Sequence, residues 1–158
     1  MRRLLTFAML IALAVPASSA ARERSPNDGT LSVRDARGTI VLAARGGVIG
    51  SFVQGSVRIV DPVEGDGTGP IVSGDEFRKE IDEKTDIYRG TRVRFRIIGG
   101  AFKVIIKGRG INLSLVGKGN VTLNGAGTGD DGTYSVNGGE YSFVPDFLFA
   151  FPLSATSP

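Results

Sequence analysis

The residues with the clearest chemical potential are cations that alternate with apolar side chains across residues 91–110, which read TRVRFRIIGGAFKVIIKGRG. Successive side chains of a β-strand point to opposite faces, so this alternation predicts one basic face and one apolar face. An array of guanidinium and ammonium groups attracts phosphate, sulfate or carboxylate groups. The candidate binding residues, called the cationic ladder here, are Arg92, Arg94, Arg96, Lys103 and Lys107.

The two glycines in the middle of this stretch predict a hairpin. Two-residue hairpin turns need positive φ, which Gly99 and Gly100 adopt without steric cost. In the resulting register Arg96 lies opposite Lys103 and Arg92 lies opposite Lys107, and such like-charged pairs are destabilising. The opposite face is predicted to be core and consists of Val93, Phe95, Ile97, Phe102, Val104 and Ile106.

Three interpretations of the ladder are open. It is the solvated side of a one-sided sheet, or an acidic segment covers and neutralises it, or it binds an anionic polymer such as acidic polysaccharide, a phosphate polymer or nucleic acid. We do not expect nucleic acid as a partner, because the basic face lacks the interleaved aromatic residues that stack on bases. The acidic segment contains Asp75, Glu76, Glu80, Asp82, Glu83 and Asp86.

The composition excludes several enzyme classes. The chain has no His and no Cys, so it contains no Ser-His-Asp triad, no Cys-His pair and no usual zinc or copper site. The alternative function is a small carboxylate-dependent hydrolase acting on cell-wall sugar, with Asp75, Glu80 and Asp82 as candidates. We expect no enzyme, no cofactor and no metal. The Gly- and Asp-rich loops at 64–69 and 127–133 lack EF-hand spacing and are interpreted as turns, with calcium as the alternative.

The N-terminus has the pattern of a secretory signal peptide. Arg2 and Arg3 precede an apolar run that ends at Val15, and small residues follow up to Ala21. We expect residues 1–20 to be removed by cleavage near Ala20 and residues 21–30 to form a flexible arm. The mature chain would then be secreted, extracytoplasmic and without a transmembrane segment, and its stability would not depend on disulfides because the chain has no Cys.

Short runs rich in Val, Ile, Phe and Thr, separated by Gly, predict an all-β fold. We expect an antiparallel β-sandwich or barrel of about ten short strands in one domain over residues 31–145. A weak self-similarity at a shift of 62 residues suggests two four-strand repeat units, 31–61 and 92–125. Residues 75–84 fit a short helix or a strand equally well. The apolar tail, 146–158, contains three Phe residues and either caps the core or forms an interface.

Between Tyr88 and Gly125 the chain contains YRGTRVRFRIIGG and KGRGINLSLVGKGNVTLNG. This segment resembles small exported all-β bacterial proteins of no established function. The resemblance implies export and an all-β fold, and it carries over no site residues. Our expectation is therefore an exported non-enzymatic binding or structural protein of the bacterial envelope, which contacts anionic surface polymers through a basic sheet face.

Overall fold

A computed structural model describes residues 25–63 and 65–157. These residues form seven β-strands, all antiparallel, in one sheet, so the predicted all-β antiparallel fold is confirmed. The described residues contain no apolar helix of membrane-spanning length. The predicted signal peptide, 1–20, lies outside the described residues. The strands are β1 Gly29–Val60, β2 Gly67–Ser73, β3 Phe77–Asp82, β4 Thr85–Gly125, β5 Thr133–Val136, β6 Ser142–Phe143 and β7 Phe149–Leu153.

Strands β1 and β4 are 32 and 41 residues long and make up most of the sheet. They pair with each other twice, so that many residues of β1 have a β4 residue on each side. Val48, for example, lies between Ile97 and Leu115. Most of the short strands predicted from the sequence are segments of these two long, bent strands, because the glycines between them bend the chain without ending the pairing. The two predicted repeat units coincide with most of β1 and most of β4, and their duplication stays a prediction.

The predicted hairpin at Gly99 and Gly100 is wrong. Both glycines have positive φ, 77° and 79°, but they lie inside β4. Ile97 pairs with Val48 and Phe102 pairs with Ala44, instead of with each other. The predicted faces are nevertheless confirmed: the six core residues are buried and the ladder cations are exposed. Both a hairpin and a two-glycine bend shift the alternation of inward and outward side chains by one residue. The sequence pattern therefore could not distinguish them.

A row of glycines crosses the sheet where the long strands bend. Neighbour by neighbour across the sheet, the row is Gly90, Gly55, Gly108, Gly38 and Gly125. Gly55 has a φ of 156°, and a methyl group there would overlap the carbonyl oxygen of Lys107. Side chains larger than hydrogen are excluded at such a position because the neighbouring backbone occupies the space of the Cβ. The glycine row therefore lets both long strands bend together.

The inner face of the sheet carries one hydrophobic cluster. Val57, Val93, Val104 and Ile106 have no measurable exposure, and the cluster takes residues from β1, β4 and β7. Each fully buried side chain of this kind stabilises the fold by roughly 1.5–3 kcal/mol. Because alternate residues of the long strands face this core, the residues between them form the outer face.

Of the remaining strands, β5 lies between β1 and β6, and each of the others pairs with one strand. Within residues 75–84, for which helix and strand were both open, Phe77–Asp82 form the edge strand β3, which pairs with the start of β4. The apolar tail contributes β7, which pairs with 119–123 of β4. Leu153 is buried in the core, whereas Phe147 and Leu148 are mostly exposed. The tail is thus divided between core and surface.

Candidate functional site

All five ladder residues are exposed, but cross-strand pairing divides them. Arg94 lies between Ser51 and Ser73, in the first half of β4. Lys107 lies between Ser56 and Thr39, beyond the bend at Gly99 and Gly100. The ladder is therefore two separate basic surfaces, with Arg92, Arg94 and Arg96 on one and Lys103 and Lys107 on the other.

Arg92 begins the first half of the ladder in an unusual conformation. Its φ is 58°, in the left-handed region that non-glycine residues rarely occupy. The buried position before this residue, Tyr88, is even-numbered, whereas the next buried positions, starting with Val93, are odd-numbered. A local irregularity of this kind re-aims the side chains that follow it, and it places Arg94 and Arg96 on the outer face.

The first basic depression has a volume of about 430 Å³ and lies beside Arg34 and Arg94. Ser51, Asn112 and Ser114 add hydroxyl and amide groups to its lining. The guanidinium carbon of Arg34 stands 4.1 Å from the centroid of the Tyr141 ring, a cation–π contact. Arg34, one of the two cations of this depression, thus already makes a contact within the protein.

The second basic depression has a volume of about 410 Å³ and gathers Arg58, Arg89 and Lys107. Ser56 pairs with Arg89 on one side and with Lys107 on the other, and Arg58 follows two residues later on the same face. Residues directly opposite in such a sheet have Cβ atoms about 5 Å apart, and diagonal neighbours are roughly 7–8 Å apart. None of the described residues lining this depression is acidic.

The acidic segment does not cover the ladder. Arg78 donates two hydrogen bonds to Asp86, at 3.2 and 3.0 Å, and the Thr91 backbone N–H donates to Glu76. The described part of the chain has two salt bridges, Arg78–Asp86 and Arg45–Asp66, and neither involves a ladder residue. The proposed neutralisation is therefore not observed among these residues.

Strand pairing explains where the acidic side chains go. In β3, Phe77 pairs with Arg89 and Lys79 pairs with Ile87, whereas Glu80 pairs with Asp86. Directly paired residues share a face, so Lys79 joins the basic outer face and Glu80 joins the opposite one. Alternation along this edge strand thus keeps Glu80 off the basic outer face, and it places Arg78, which pairs with Tyr88, on the face of Asp86, where the two form a salt bridge.

Three of the described groups have shifted pKa values. The hydrogen bond to Asp86 raises the pKa of the Arg78 guanidinium. Burial raises the pKa of the Tyr88 phenol, and the negative charge of Asp86 raises it further. In the loop 127–133, the Thr128 hydroxyl donates to Asp131 at 2.5 Å and lowers the pKa of that carboxyl, with the Gly127 and Thr128 backbone N–H groups adding to the effect. The Asp131 carboxylate is thus held by its own loop.

The described residues contain no group of three or more acidic side chains able to hold a metal ion. The candidate hydrolase residues lie on β3 or just before it. Glu80 and Asp82 are exposed on the edge strand β3, and Asp82 accepts a hydrogen bond from the Lys84 backbone N–H. Asp75 precedes that strand.

The sequence prediction missed Arg58 and Arg89. Arg58 follows the same cation–apolar alternation, in GSVRIV, but it lies about fifty residues before Lys107 in the chain. Arg89 belongs to the basic stretch but precedes the predicted hairpin. A search for outward-facing cations in every alternating segment would have found both, whereas only the pairing of β1 with β4 shows that they converge.

Compared with family models, with curated proteins and with solved structures, the chain matches none of them.

Proposed function

We propose that this protein is an exported, non-enzymatic binding or structural protein of the bacterial envelope that contacts an anionic surface polymer through its basic outer face. Export is supported by the charged, apolar and small-residue order of residues 2–21. The contact is supported by one observation above all: the ladder cations are exposed and none of them forms a salt bridge with a described residue.

Unpaired cations on a fixed surface favour a polyanion for a physical reason. An extended anionic chain carries a layer of condensed counterions, and each phosphate, sulfate or carboxylate group that meets an Arg or Lys releases some of them. Several weak contacts then add up to binding that falls steeply as salt increases. The ladder supplies five such cations on two neighbouring surfaces of β4.

Nucleic acid is the less suitable polyanion for this face. Single strands bind through aromatic side chains that stack on successive bases. The aromatic residues of β4, Tyr88, Phe95 and Phe102, are buried in the core and cannot stack on a base, and the exposed rings of Phe77 and Tyr141 are occupied by Arg89 and Arg34. Extracellular polymers are also the anions that an exported protein meets first.

The test is the double variant Arg94→Gln and Lys103→Gln, measured for binding to polygalacturonate and to polyphosphate at low and high salt. We expect weaker binding, a shallower salt dependence by about two charges, and stability within about 0.5 kcal/mol of the parent. The matched control is Arg37→Gln with Lys84→Gln, which removes the same charge from exposed residues that lie outside the ladder and line neither basic depression. Absence of polyanion binding by the parent chain at low salt would contradict the proposal.

A further inference from the structure

We infer that the second basic depression, at Arg58, Arg89 and Lys107, is a site for one acidic sugar residue of an anionic glycan. This inference rests on the proposed function, because it identifies the chemistry of the polymer and the place where one unit of it is held. The depression also uses two arginines, Arg58 and Arg89, that lie outside the ladder.

The three cations are neighbours in the sheet. Ser56 lies between Arg89 and Lys107, and Arg58 is the diagonal neighbour of both. All three side chains are exposed and long enough to turn toward one anion, and the Arg89 guanidinium, which lies 5.7 Å from the centroid of the exposed Phe77 ring, keeps its N–H groups available. Arginine guanidinium groups bind carboxylate, sulfate and phosphate oxygens in bidentate geometry, which gives orientation as well as attraction.

The rest of the lining consists of aliphatic, hydroxyl and amide side chains, which a simple inorganic anion would leave unused. Val41 pairs with Ile105, and both are half-buried on the outer face. Thr122 pairs with Val41 on its far side, whereas Thr39 and Asn124 lie in the neighbouring row, where Thr39 pairs with Lys107. The row through Arg58, Ile105, Val41 and Thr122 thus runs from a cation, across an aliphatic floor, to a hydrogen-bonding side chain.

A sugar ring with an acidic substituent has the same order of groups. Its charged group fits the cations, the C–H face of the ring fits the aliphatic floor, and its hydroxyls fit the threonine and asparagine side chains. A linear polyphosphate has nothing to place on the floor or among the hydroxyls. The volume of about 410 Å³ lies within the range of about 300–1,000 Å³ that is usual for small-molecule sites.

An exposed apolar residue at the rim supports this choice of ligand. Leu148 is 69% exposed and lines the same depression, on the segment just before β7. Exposed aliphatic groups beside hydrogen-bonding ones suit the mixed surface of a sugar better than that of an inorganic anion. Removing Leu148 should therefore affect the binding of a sugar and leave the binding of phosphate unchanged.

The experiment measures binding of the full exported chain to three short probes by calorimetry. The probes are a galacturonate trimer, a sulfated trisaccharide and inorganic tripolyphosphate, so that carboxylate and sulfate sources are distinguished from charge without a sugar. We expect Arg58→Gln with Arg89→Gln to weaken the binding of at least one oligosaccharide by about tenfold or more, since charge-assisted hydrogen bonds are lost. The control, Arg37→Gln with Lys84→Gln, should change it by less than about twofold.

Two further variants make the result independent of any one substitution. Lys107→Gln should also weaken the oligosaccharide, and Leu148→Ala should weaken it by about two- to fivefold while leaving tripolyphosphate unchanged. Thermal melts confirm that each variant is folded, and Lys107→Gln replaces the double variant if that one is not.

The outcomes separate this inference from the proposed function. If the parent chain binds no polymer and no probe, both are wrong. If it binds polymers but prefers tripolyphosphate to both oligosaccharides, or if the Arg58 and Arg89 variant binds like the control, the sugar site is wrong and the proposed function remains. Preference for an oligosaccharide, lost in the Arg58 and Arg89 variant, supports the inference.

Discussion

The two basic depressions have nearly the same volume, yet they are lined by different numbers of cations, two in the first and three in the second. In the first, Arg34 is held against the Tyr141 ring at 4.1 Å, and Arg94 stands between two serines. In the second, Arg89 lies over the Phe77 ring at the longer distance of 5.7 Å, and Arg58, Arg89 and Lys107 all neighbour Ser56 in the sheet. Alternation along a strand makes a cation point outward, whereas the register between strands decides whether cations converge.

The depressions also differ in what lies beneath and beside them. Gly50 lines the first depression, and the Phe95 ring packs directly against it from the core. The second depression adjoins the glycine row, since Ser56, Lys107 and Arg89 each follow or precede a glycine of that row. The first is thus supported by core packing and the second by a bend in the backbone, and this difference leads to distinct predictions.

The largest effect is expected beneath the first depression. Phe95 is 2% exposed, so Phe95→Ala should destabilise the fold by about 3–5 kcal/mol through lost burial and a residual cavity. Phe143 is 75% exposed, and Phe143→Ala should cost less than about 1 kcal/mol. Urea unfolding of the two variants measures this difference, and equal losses would mean that Phe95 does not support the core as described.

An intermediate effect is expected at the glycine row. Gly55→Ala places a methyl group against the Lys107 carbonyl at a φ of 156°, and should cost roughly 2–4 kcal/mol. It should also impair binding at the second depression, because Ser56 and Lys107 would shift. Gly69 has open space around it, so Gly69→Ala should change stability by less than about 1 kcal/mol. A stable Gly55→Ala protein with unchanged binding would show that the bend does not position this depression.

The smallest effect distinguishes the arginines themselves. Arg34→Gln should cost about 0.5–1 kcal/mol, because it removes the cation–π contact with Tyr141. Arg58→Gln should change stability by less than about 0.5 kcal/mol, since Arg58 is exposed and makes no salt bridge with a described residue. Thermal melts at low salt can resolve the two values. A larger loss for Arg58→Gln would indicate an intramolecular role and weaken the case for a ligand there.

Much of the fold was predictable because it depends on local alternation. The inward positions Val93, Phe95, Val104 and Ile106 followed from period-two burial, and so did the outward cations between them. The hairpin at Gly99 and Gly100 was not predictable, since a hairpin and a bend invert the alternation in the same way. The strand at 77–82 was ambiguous because its apolar residues, Phe77 and Ile81, are spaced four apart as in a helix, and because none of its residues is buried in the core.

The sequence by itself determined that the chain forms strands, which residues face the core, and that histidine- and cysteine-based catalysis is absent. Only the tertiary structure decided that β1 and β4 pair twice, that five glycines align in a row, and that Arg58, Arg89 and Lys107 meet around Ser56. The reason is physical. Side-chain direction depends on each residue's own backbone, whereas register depends on contacts between segments that are far apart in the chain, as Leu31 and Val136 are.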